Sequence, residues 1–135
     1  MKLSKIIATS LIAATLSAPL ATTAHAGGTL SFGFNAKNQE EAAAVQTGLL
    51  IYKLVQKKKG DAVVSQNGNG NAAGIGQNGS GHTGVVHQDG DGHTGTINQC
   101  GNNNSFGLFQ FGKNANGNVN QCGNGKAGAM VQIGF

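Results

Sequence analysis

The sequence is poor in the residues from which globular cores are built. It contains no Trp and one Tyr, and aromatic side chains make up 5% of it, whereas Gly occurs 23 times. With so little apolar area to bury per residue, a conventional packed globule is hard to stabilise. Stacked strands are an alternative, because they gain stability from repeated backbone pairing rather than from one thick core.

Charged residues are also scarce, at 10% of the chain, and nine basic residues, all of them lysines, face five acidic ones. Two of the lysines fall in a predicted signal segment, so the rest of the chain has a net charge of about +2. This excess is too small for a nucleic-acid-binding protein, and the aromatic platforms on which such proteins stack bases are missing. No pair of titratable residues recurs in a plausible pocket, so an enzyme is the least favoured function class.

Residues 1–26 have the pattern of a secretory signal peptide. Lys2 and Lys5 supply its positive start, an apolar stretch runs from Ile6 to Leu20, and Ala24-His25-Ala26 is a small-x-small cleavage site. The apolar stretch is short and interrupted by polar residues, which argues against a membrane anchor. We therefore predict cleavage before Gly27 and a secreted protein that stays associated with the cell surface.

A repeat organises the chain from Asp61 to Phe135. Glutamine recurs every 11 residues, and a glycine stands two positions after each glutamine. The glutamines are Gln66, Gln77, Gln88, Gln99, Gln110, Gln121 and Gln132, and the glycines are Gly68, Gly79, Gly90, Gly101, Gly112, Gly123 and Gly134. A fixed internal period indicates one supersecondary unit stacked on itself.

Each unit has further constant positions. An aliphatic or Met side chain precedes each glutamine by two residues, namely Val64, Ile75, Val86, Ile97, Leu108, Val119 and Met130, and the residue four before it is small except at Phe106. Side chains alternate between the two faces of a strand, so these positions share one face, which we predict to point inward. The glycines tolerate positive φ and tight turns. Each unit is therefore predicted to be a strand of about seven residues followed by a turn.

Two units, or 22 residues, make one circuit of two strands and two turns. Residues 22 apart then stack about 4.8 Å above one another in two facing parallel sheets. Gln66, Gln88, Gln110 and Gln132 form one internal ladder and Gln77, Gln99 and Gln121 the other, each amide donating to one neighbour and accepting from the next. The predicted fold is an all-β, two-sheet parallel β-solenoid of the cross-β kind, over residues 61–135.

The first repeat resembles that of a known family. Its residues Gln66-Asn67-Gly68-Asn69-Gly70-Asn71-Ala72-Ala73-Gly74-Ile75-Gly76-Gln77 are similar to the curlin repeat, Gln-x-Gly-x-Gly-Asn-x-Ala-x-x-x-Gln. Later units depart at the Asn position, which becomes His82, His93, Ala115 and Lys126. The resemblance implies a curli-type functional amyloid: a self-assembling extracellular fibre subunit in biofilm and adhesion. It also implies a nucleating partner subunit, an outer-membrane secretion pore and periplasmic chaperones.

Residues 27–60 lie outside the exact period. Asn38 followed by Glu41 resembles a capping box, and the residues from Gln39 to Gln46 favour a short helix. The apolar stretch from Leu49 to Gln56 is either a degenerate first repeat or a helix that caps the N-terminal edge of the solenoid. The three lysines at 57–59 are interpreted as a solvated turn, the alternative being an anionic contact or a guard against edge pairing.

Several side chains could carry chemistry. Cys100 and Cys122 are 22 residues apart on neighbouring rungs, so they either form a disulfide or remain free or intermolecular thiols. His82 and His93 fall on opposite sheets and are read as hydrogen-bonding residues at turns rather than as metal ligands. Asp89-Gly90-Asp91-Gly92 is read as a turn rather than a calcium loop. No metal site or cofactor is predicted.

The favoured function is a fibre subunit, in either a major or a nucleating role. This interpretation rests on the last rung, Gln132 to Phe135. Its backbone is expected to be unpaired, with no proline or charged residue to block pairing with another chain. Outward Phe109 and Phe111, with Val131 and Ile133, are expected to form a sticky lateral surface. The alternative is a monomeric secreted solenoid that binds glycans or ice, which needs a flat array of one outward residue type. Thr83 and Thr94 lie on different sheets and do not form one.

Overall fold

The computed structural model describes residues 28–55 and 61–135. The predicted signal segment at 1–26 and the three lysines at 57–59 lie outside the described residues. The elements in chain order are β1 (Thr29–Asn35), α1 (Gln39–Val55), β2 (Ala62–Asn67), β3 (Ala72–Ser80), β4 (Thr83–Asp91), β5 (Thr94–Asn102), β6 (Ser105–Lys113), β7 (Asn116–Asn124) and β8 (Ala127–Gly134).

The seven strands of the repeat region wind into a two-sheet parallel β-solenoid, as the period predicts. Sheet A has the order β1-β8-β6-β4-β2, and sheet B has the order β3-β5-β7. Every parallel pair is in the register of the repeat, with Gln88 opposite Gln110 in sheet A and Gln99 opposite Gln121 in sheet B. Successive strands of the chain therefore alternate between the sheets, and each circuit takes 22 residues.

The two sheets are staggered by half a rung. A Cβ atom added to Gly95 in β5 would lie 2.8 Å from the amide oxygen of Gln110 in β6 and 3.1 Å from the amide nitrogen of Gln88 in β4. A strand of sheet B thus faces the gap between two strands of sheet A. The small residues four positions before each glutamine are explained by this stagger, because they leave room for the ladder amides of the opposite sheet.

The strands are longer than the predicted seven residues. Strands β3 to β7 each have nine residues, because pairing continues through the glycine two positions after the ladder glutamine and ends one residue beyond that glycine. The turns that join them are correspondingly short. Turn glycines stacked in register keep their backbones paired with the next rung, which a loose loop would not allow.

The solenoid core is a single column of apolar side chains between the sheets. Its buried members are Val86, Ile97, Phe106, Leu108 and Val119, and Ala73, Ile75 and Met130 pack against them. Each fully buried side chain of this kind contributes about 1.5–3 kcal/mol by leaving water. Phe106 points inward, as expected. Val64 also faces inward, but it lies on the first rung and is 40% exposed.

Helix α1 crosses the outer face of sheet A. Its start is capped as predicted, with the Glu41 amide donating to the Asn38 side-chain oxygen at 2.9 Å. Leu49 is buried in an outer cluster with Val63 and Val85, and Val45, Tyr52 and Phe109 pack around it. The helix is not long and apolar enough to cross a membrane, and no other helix occurs in residues 28–55 and 61–135.

The sequence left two alternatives for the stretch from Leu49 to Gln56: a degenerate repeat strand, or a helix that caps the N-terminal edge of the solenoid. The structure shows a helix, but in a different place. The stretch from Leu49 to Val55 continues α1, so it is not a degenerate repeat strand. The helix also does not cap the N-terminal edge: it packs against Val85 and Phe109 on the face of sheet A. The physical reason is that the outward face of sheet A is apolar under the helix. Because Gly107 has no side chain, it leaves a gap on this face that Leu49 fills: a Cβ added to Gly107 would lie 2.7 Å from Leu49 Cδ2.

Strand β1 overturns the expectation of an open last rung. It pairs antiparallel with β8 over its whole length, from Thr29 opposite Gly134 to Asn35 opposite Gly128. Gly28 and Phe135 continue the pairing with two backbone hydrogen bonds of 2.7 and 2.9 Å. The edge from Gln132 to Phe135 is therefore covered by the chain's own N-terminal strand, whose alternating Leu30, Phe32 and Phe34 suit it to an edge.

Candidate functional site

Two glutamine ladders run through the solenoid and form the first part of the candidate site. In sheet A, Gln66 donates to Gln88, Gln88 to Gln110, and Gln110 to Gln132, at 2.7–2.8 Å. In sheet B, Gln77 donates to Gln99 and Gln99 to Gln121, both at 3.0 Å. Each amide oxygen inside a ladder thus accepts a hydrogen bond from the preceding rung.

Except at Gln66, each ladder amide nitrogen also donates across the solenoid to a backbone carbonyl 16 residues earlier. Gln88 Nε2 donates to the Ala72 carbonyl and Gln110 Nε2 to the Thr94 carbonyl, both at 2.9 Å. Both amide protons are therefore used, which satisfies groups that are costly to bury unpaired. Gln88 and Gln110 are fully buried. The repeat period is thus required by hydrogen bonding as well as by packing.

The ladders have a direction and end differently at the two ends of the solenoid. At the N-terminal end, the Gln66 and Gln77 oxygens accept no hydrogen bond from the described residues, while their nitrogens donate onward. At the C-terminal end, Gln121 Nε2 donates to the Ser105 carbonyl over a long 3.4 Å, and no further amide follows it. One end therefore offers acceptors and the other a donor.

The turn glycines allow successive rungs to approach closely. Gly68, Gly79, Gly90, Gly101, Gly112 and Gly123 all have positive φ. A Cβ on Gly90 would lie 1.9 Å from the carbonyl oxygen of Gly112 on the next rung, so no other residue fits. Gly134 is an exception to the prediction. It ends β8 opposite Thr29 rather than lying in a turn.

Two further internal ladders, the corner ladders, which sequence reasoning missed, lie at the two corners after the turns: one joins Asn71, His93 and Ala115, and the other joins His82, Asn104 and Lys126. Asn104 donates from its side-chain nitrogen to the Cys100 and Gly123 carbonyls, and its oxygen accepts from the Lys126 amide at 3.0 Å. Asn71 makes the equivalent contacts on the first rung. The 11-residue recurrence of polar residues at this position, broken only at Ala115, is the signal that could have identified them.

The two histidines of this corner position are buried, with exposures of 3% for His82 and 0% for His93. His93 Nδ1 accepts from the Ala115 amide at 3.1 Å, so Nε2 carries the proton and faces the Asp89 carbonyl at 3.4 Å. His82 does the same, accepting from Asn104 and facing the Asn78 carbonyl. Each imidazole thus offers one acceptor, Nδ1, and one donor, Nε2, and makes the same kinds of hydrogen bond as the asparagine side chain at this position.

The remaining polar predictions fall on the surface. Asp89 and Asp91 accept hydrogen bonds from the Asn67 side chain and the Asn69 amide of the preceding rung. Their carboxylates therefore hold successive turns together. Cys100 and Cys122 face outward on sheet B and are joined by a disulfide, with their Cα atoms 4.5 Å apart. The bond ties two successive rungs.

An aromatic cluster lies under α1 on sheet A. The Tyr52 hydroxyl is 2.7 Å from His87 Nδ1, and the Tyr52 ring meets Phe109 edge-on at 5.5 Å. Burial raises the pKa of Tyr52 and lowers the pKa of His87, the latter against an opposing effect of Asp89. Both shifts favour the neutral forms, so the hydroxyl donates to the ring nitrogen. The expected sticky lateral surface around Phe109 is thus covered in part by the helix.

The strand edges complete the site. In the part of the chain that the structure describes, β1, β2, β3 and β7 each pair on one side only. Beside β7 lies a cavity of about 510 Å³, lined by Asn118, Val119, Gln121, Phe106 and Met130 among others. The aliphatic part of Lys126 folds over the turn at this edge, with Cε 2.8 Å from where a Cβ of Gly123 would be. A lysine at an open edge is a common guard against pairing.

The comparisons with known proteins leave these features to be interpreted on their own. No family model, curated protein or solved structure matches the chain.

Proposed function

We propose that this protein is a structural subunit of an extracellular fibre, which grows by adding copies at the ends of the solenoid. The observation that carries the proposal is the direction of the ladders. At one end the Gln66 and Gln77 oxygens accept no hydrogen bond from the described residues, and at the other the Gln121 donor lacks an amide partner. A second copy placed head to tail would continue the ladder at Gln121 directly, and the ladder at Gln132 once β1 has left β8, with the chemistry already used inside.

The open edges support the same function. β2 and β3 present unpaired backbone at one end and β7 at the other, and Val64 of β2 leaves apolar surface exposed. Adding a strand to such an edge supplies backbone hydrogen bonds and covers the apolar column in one step. The similarity of the repeat to that of the curlins agrees with this proposal. It extends the proposal to a cell-surface fibre in biofilm and adhesion, with a nucleating partner subunit, a secretion pore and chaperones.

The test is assembly of the purified chain without residues 1–26. We expect fibres that bind amyloid dyes and give cross-β diffraction, with spacings of about 4.7–4.8 Å along the fibre and about 10 Å across it. Persistence of a dye-negative monomer at high concentration would contradict the proposal. Adding the protein to a soluble partner of the same repeat class, and timing the lag phase, would separate a nucleating from a major role.

A second candidate is a monomeric binding solenoid, directed at glycans or ice. Strand β1 favours it, because it covers one edge that a fibre would use. The outer face of sheet B is also a regular polar array, in which Asn98 donates to Asn120 and Ser80 to Asn102. Thermal hysteresis or glycan retention by the monomer, without fibre formation, would support this function instead.

A further inference from the structure

The cavity beside β7 has the position of a missing strand. β7 is the last strand of sheet B, and its residues from Asn118 to Cys122 line one wall of the cavity. Phe106 and Met130 of sheet A form the floor, and Asn35 and Ala36, at the end of β1, form the rim. The core column is therefore covered by sheet A but open on the side of sheet B.

The number of repeat strands makes both ends of the solenoid stepped. Sheet A contains four parallel strands of the repeat and sheet B contains three, with the half-rung stagger described above. At the C-terminal end β8 projects half a rung beyond β7, and at the N-terminal end β2 projects half a rung beyond β3. Two such ends interlock only if the projecting strand of one copy meets the recessed strand of the other.

A second copy in the same orientation cannot fill the step. Placing its β3 on β7 would bring its β2 to the level that β8 already occupies. Placing its β2 on β8 would leave the β7 edge unpaired and the cavity empty. Rotation by half a turn about the solenoid axis removes both problems, because β2 of the incoming copy then lies on β7 and its β3 lies on β8.

Resting on the proposed function, we propose that the partner of the β7 edge is the β2 strand of a second copy turned by half a turn about the fibre axis. In this register Gln66 of the incoming copy stacks on Gln121, and Val64 stacks on Val119. The Gln66 oxygen, which accepts nothing from the described residues, meets the Gln121 nitrogen, whose present bond to Ser105 is 3.4 Å long. Each amide ladder thus passes from one sheet to the other at every junction.

Strand β1 occupies the place of the incoming β3. It pairs with β8 along the edge that β3 would use, and the Ser31 hydroxyl accepts from Gln132 Nε2 at 3.0 Å, where the Gln77 oxygen of the next copy would accept. The strand must therefore leave β8 before a second copy can seat fully. Since α1 lies on sheet A, the half-turn also places the helices of successive copies on opposite faces of the fibre.

Cysteine pairing within fibres tests this arrangement. Outward residues on adjacent rungs can form a disulfide in this fold, as Cys100 and Cys122 do. Asn67, at the outward position after Gln66, stacks on Cys122 in the half-turn arrangement and on Ile133 in the unrotated one. Two equimolar mixtures are assembled, and each contains a chain whose single cysteine comes from N67C in a C100S/C122S background. In the first mixture the second chain is C100S, which retains Cys122 and reports the half-turn arrangement. In the matched mixture the second chain is C100S/C122S/I133C, which reports the unrotated one.

After oxidation, linked peptides are quantified by mass spectrometry. We expect the 67–122 link to exceed the 67–133 link at least tenfold. Fibres in which the 67–133 link dominates, or in which neither link forms, overturn the half-turn arrangement and leave the fibre function standing. If no chain assembles, including the unmodified one, both proposals fail together. Images of unmodified fibres provide a check that needs no substitution: helices on one face alone would contradict the arrangement.

Discussion

Gln132 Nε2 donates a hydrogen bond to the Ser31 hydroxyl across 101 residues of sequence, at 3.0 Å. The last amide of one ladder is thereby satisfied by a strand that precedes the whole repeat. The contact makes β1 a substitute for the next rung, because it supplies both backbone pairing and a side-chain acceptor. An edge that is satisfied within the chain is protected from pairing with other chains.

Locking β1 onto β8 should stop fibre growth. Leu30 lies opposite Ile133, and both are about 40% exposed, so an L30C/I133C disulfide would fix the strand without entering the core. We expect the oxidised variant to show no elongation from seeds and reduction to restore growth to the unmodified rate. The unmodified protein in the same reductant is the control, because it also loses the Cys100–Cys122 bond. Elongation of the locked protein at the unmodified rate would show that β1 need not leave.

Removing the amide from the centre of a ladder should destabilise the fold far more than removing it at the end. Gln110→Ala leaves the buried Gln132 oxygen without a donor and creates a cavity, for an expected loss of about 2–3 kcal/mol in the free energy of unfolding. Gln66→Ala also removes a donor, from the buried Gln88 oxygen, but it creates no cavity because Gln66 lies exposed on the first rung, so it should cost about 1–1.5 kcal/mol. Urea unfolding of the two variants measures the difference. Equal losses would mean that burial at the centre of the ladder adds nothing to the cost of losing one hydrogen bond.

The register of the solenoid could be predicted from sequence because one residue type marks each rung. A glutamine at every eleventh position identifies inward face, strand phase and stacking partner at once. The place of α1 could not be predicted in this way. It depends on the gap at Gly107 on the outer face of sheet A, which Leu49 fills. This gap exists only after the strands are stacked.

Strand β1 and the corner ladders were missed for different reasons. β1 has the alternation of a strand, with Leu30, Phe32 and Phe34 on one face, but it pairs antiparallel and carries no repeat residue, so the period gives no information about it. The corner ladders do follow the period. Their members differ in residue type, however, and only the shared hydrogen-bonding geometry of Asn104 and His93 reveals that these positions are equivalent.

Asparagine should replace a corner histidine at little cost. In His93→Asn, the new side chain can accept from the Ala115 amide and donate to the Asp89 carbonyl, as Asn104 does with its own neighbours. We expect a change in the free energy of unfolding within about 0.5 kcal/mol. His93→Leu has a similar bulk but no polar atoms, and it should cost about 1–3 kcal/mol because buried backbone groups lose their partners. Similar unfolding midpoints for the two variants would contradict a hydrogen-bonding role.

Acid should weaken the packing of α1 on sheet A through His87. Burial against the helix lowers the folded-state pKa of His87 below its unfolded value of about 6.5, so the unfolded chain binds more protons between the two values. The contribution of His87 is therefore complete above about pH 6.5 and is lost as the pH falls through that window. Protonation also removes the acceptor that the Tyr52 hydroxyl uses.

His87→Gln isolates this effect, because every other ionisable group is present in both proteins. We expect the stability of the unmodified protein relative to the variant to fall as the pH drops below about 6.5, and tryptic cleavage in α1 to accelerate over the same range. Urea unfolding at several pH values measures the first and limited proteolysis the second. A difference in stability that does not change with pH would show that His87 keeps its ordinary proton affinity in the folded chain.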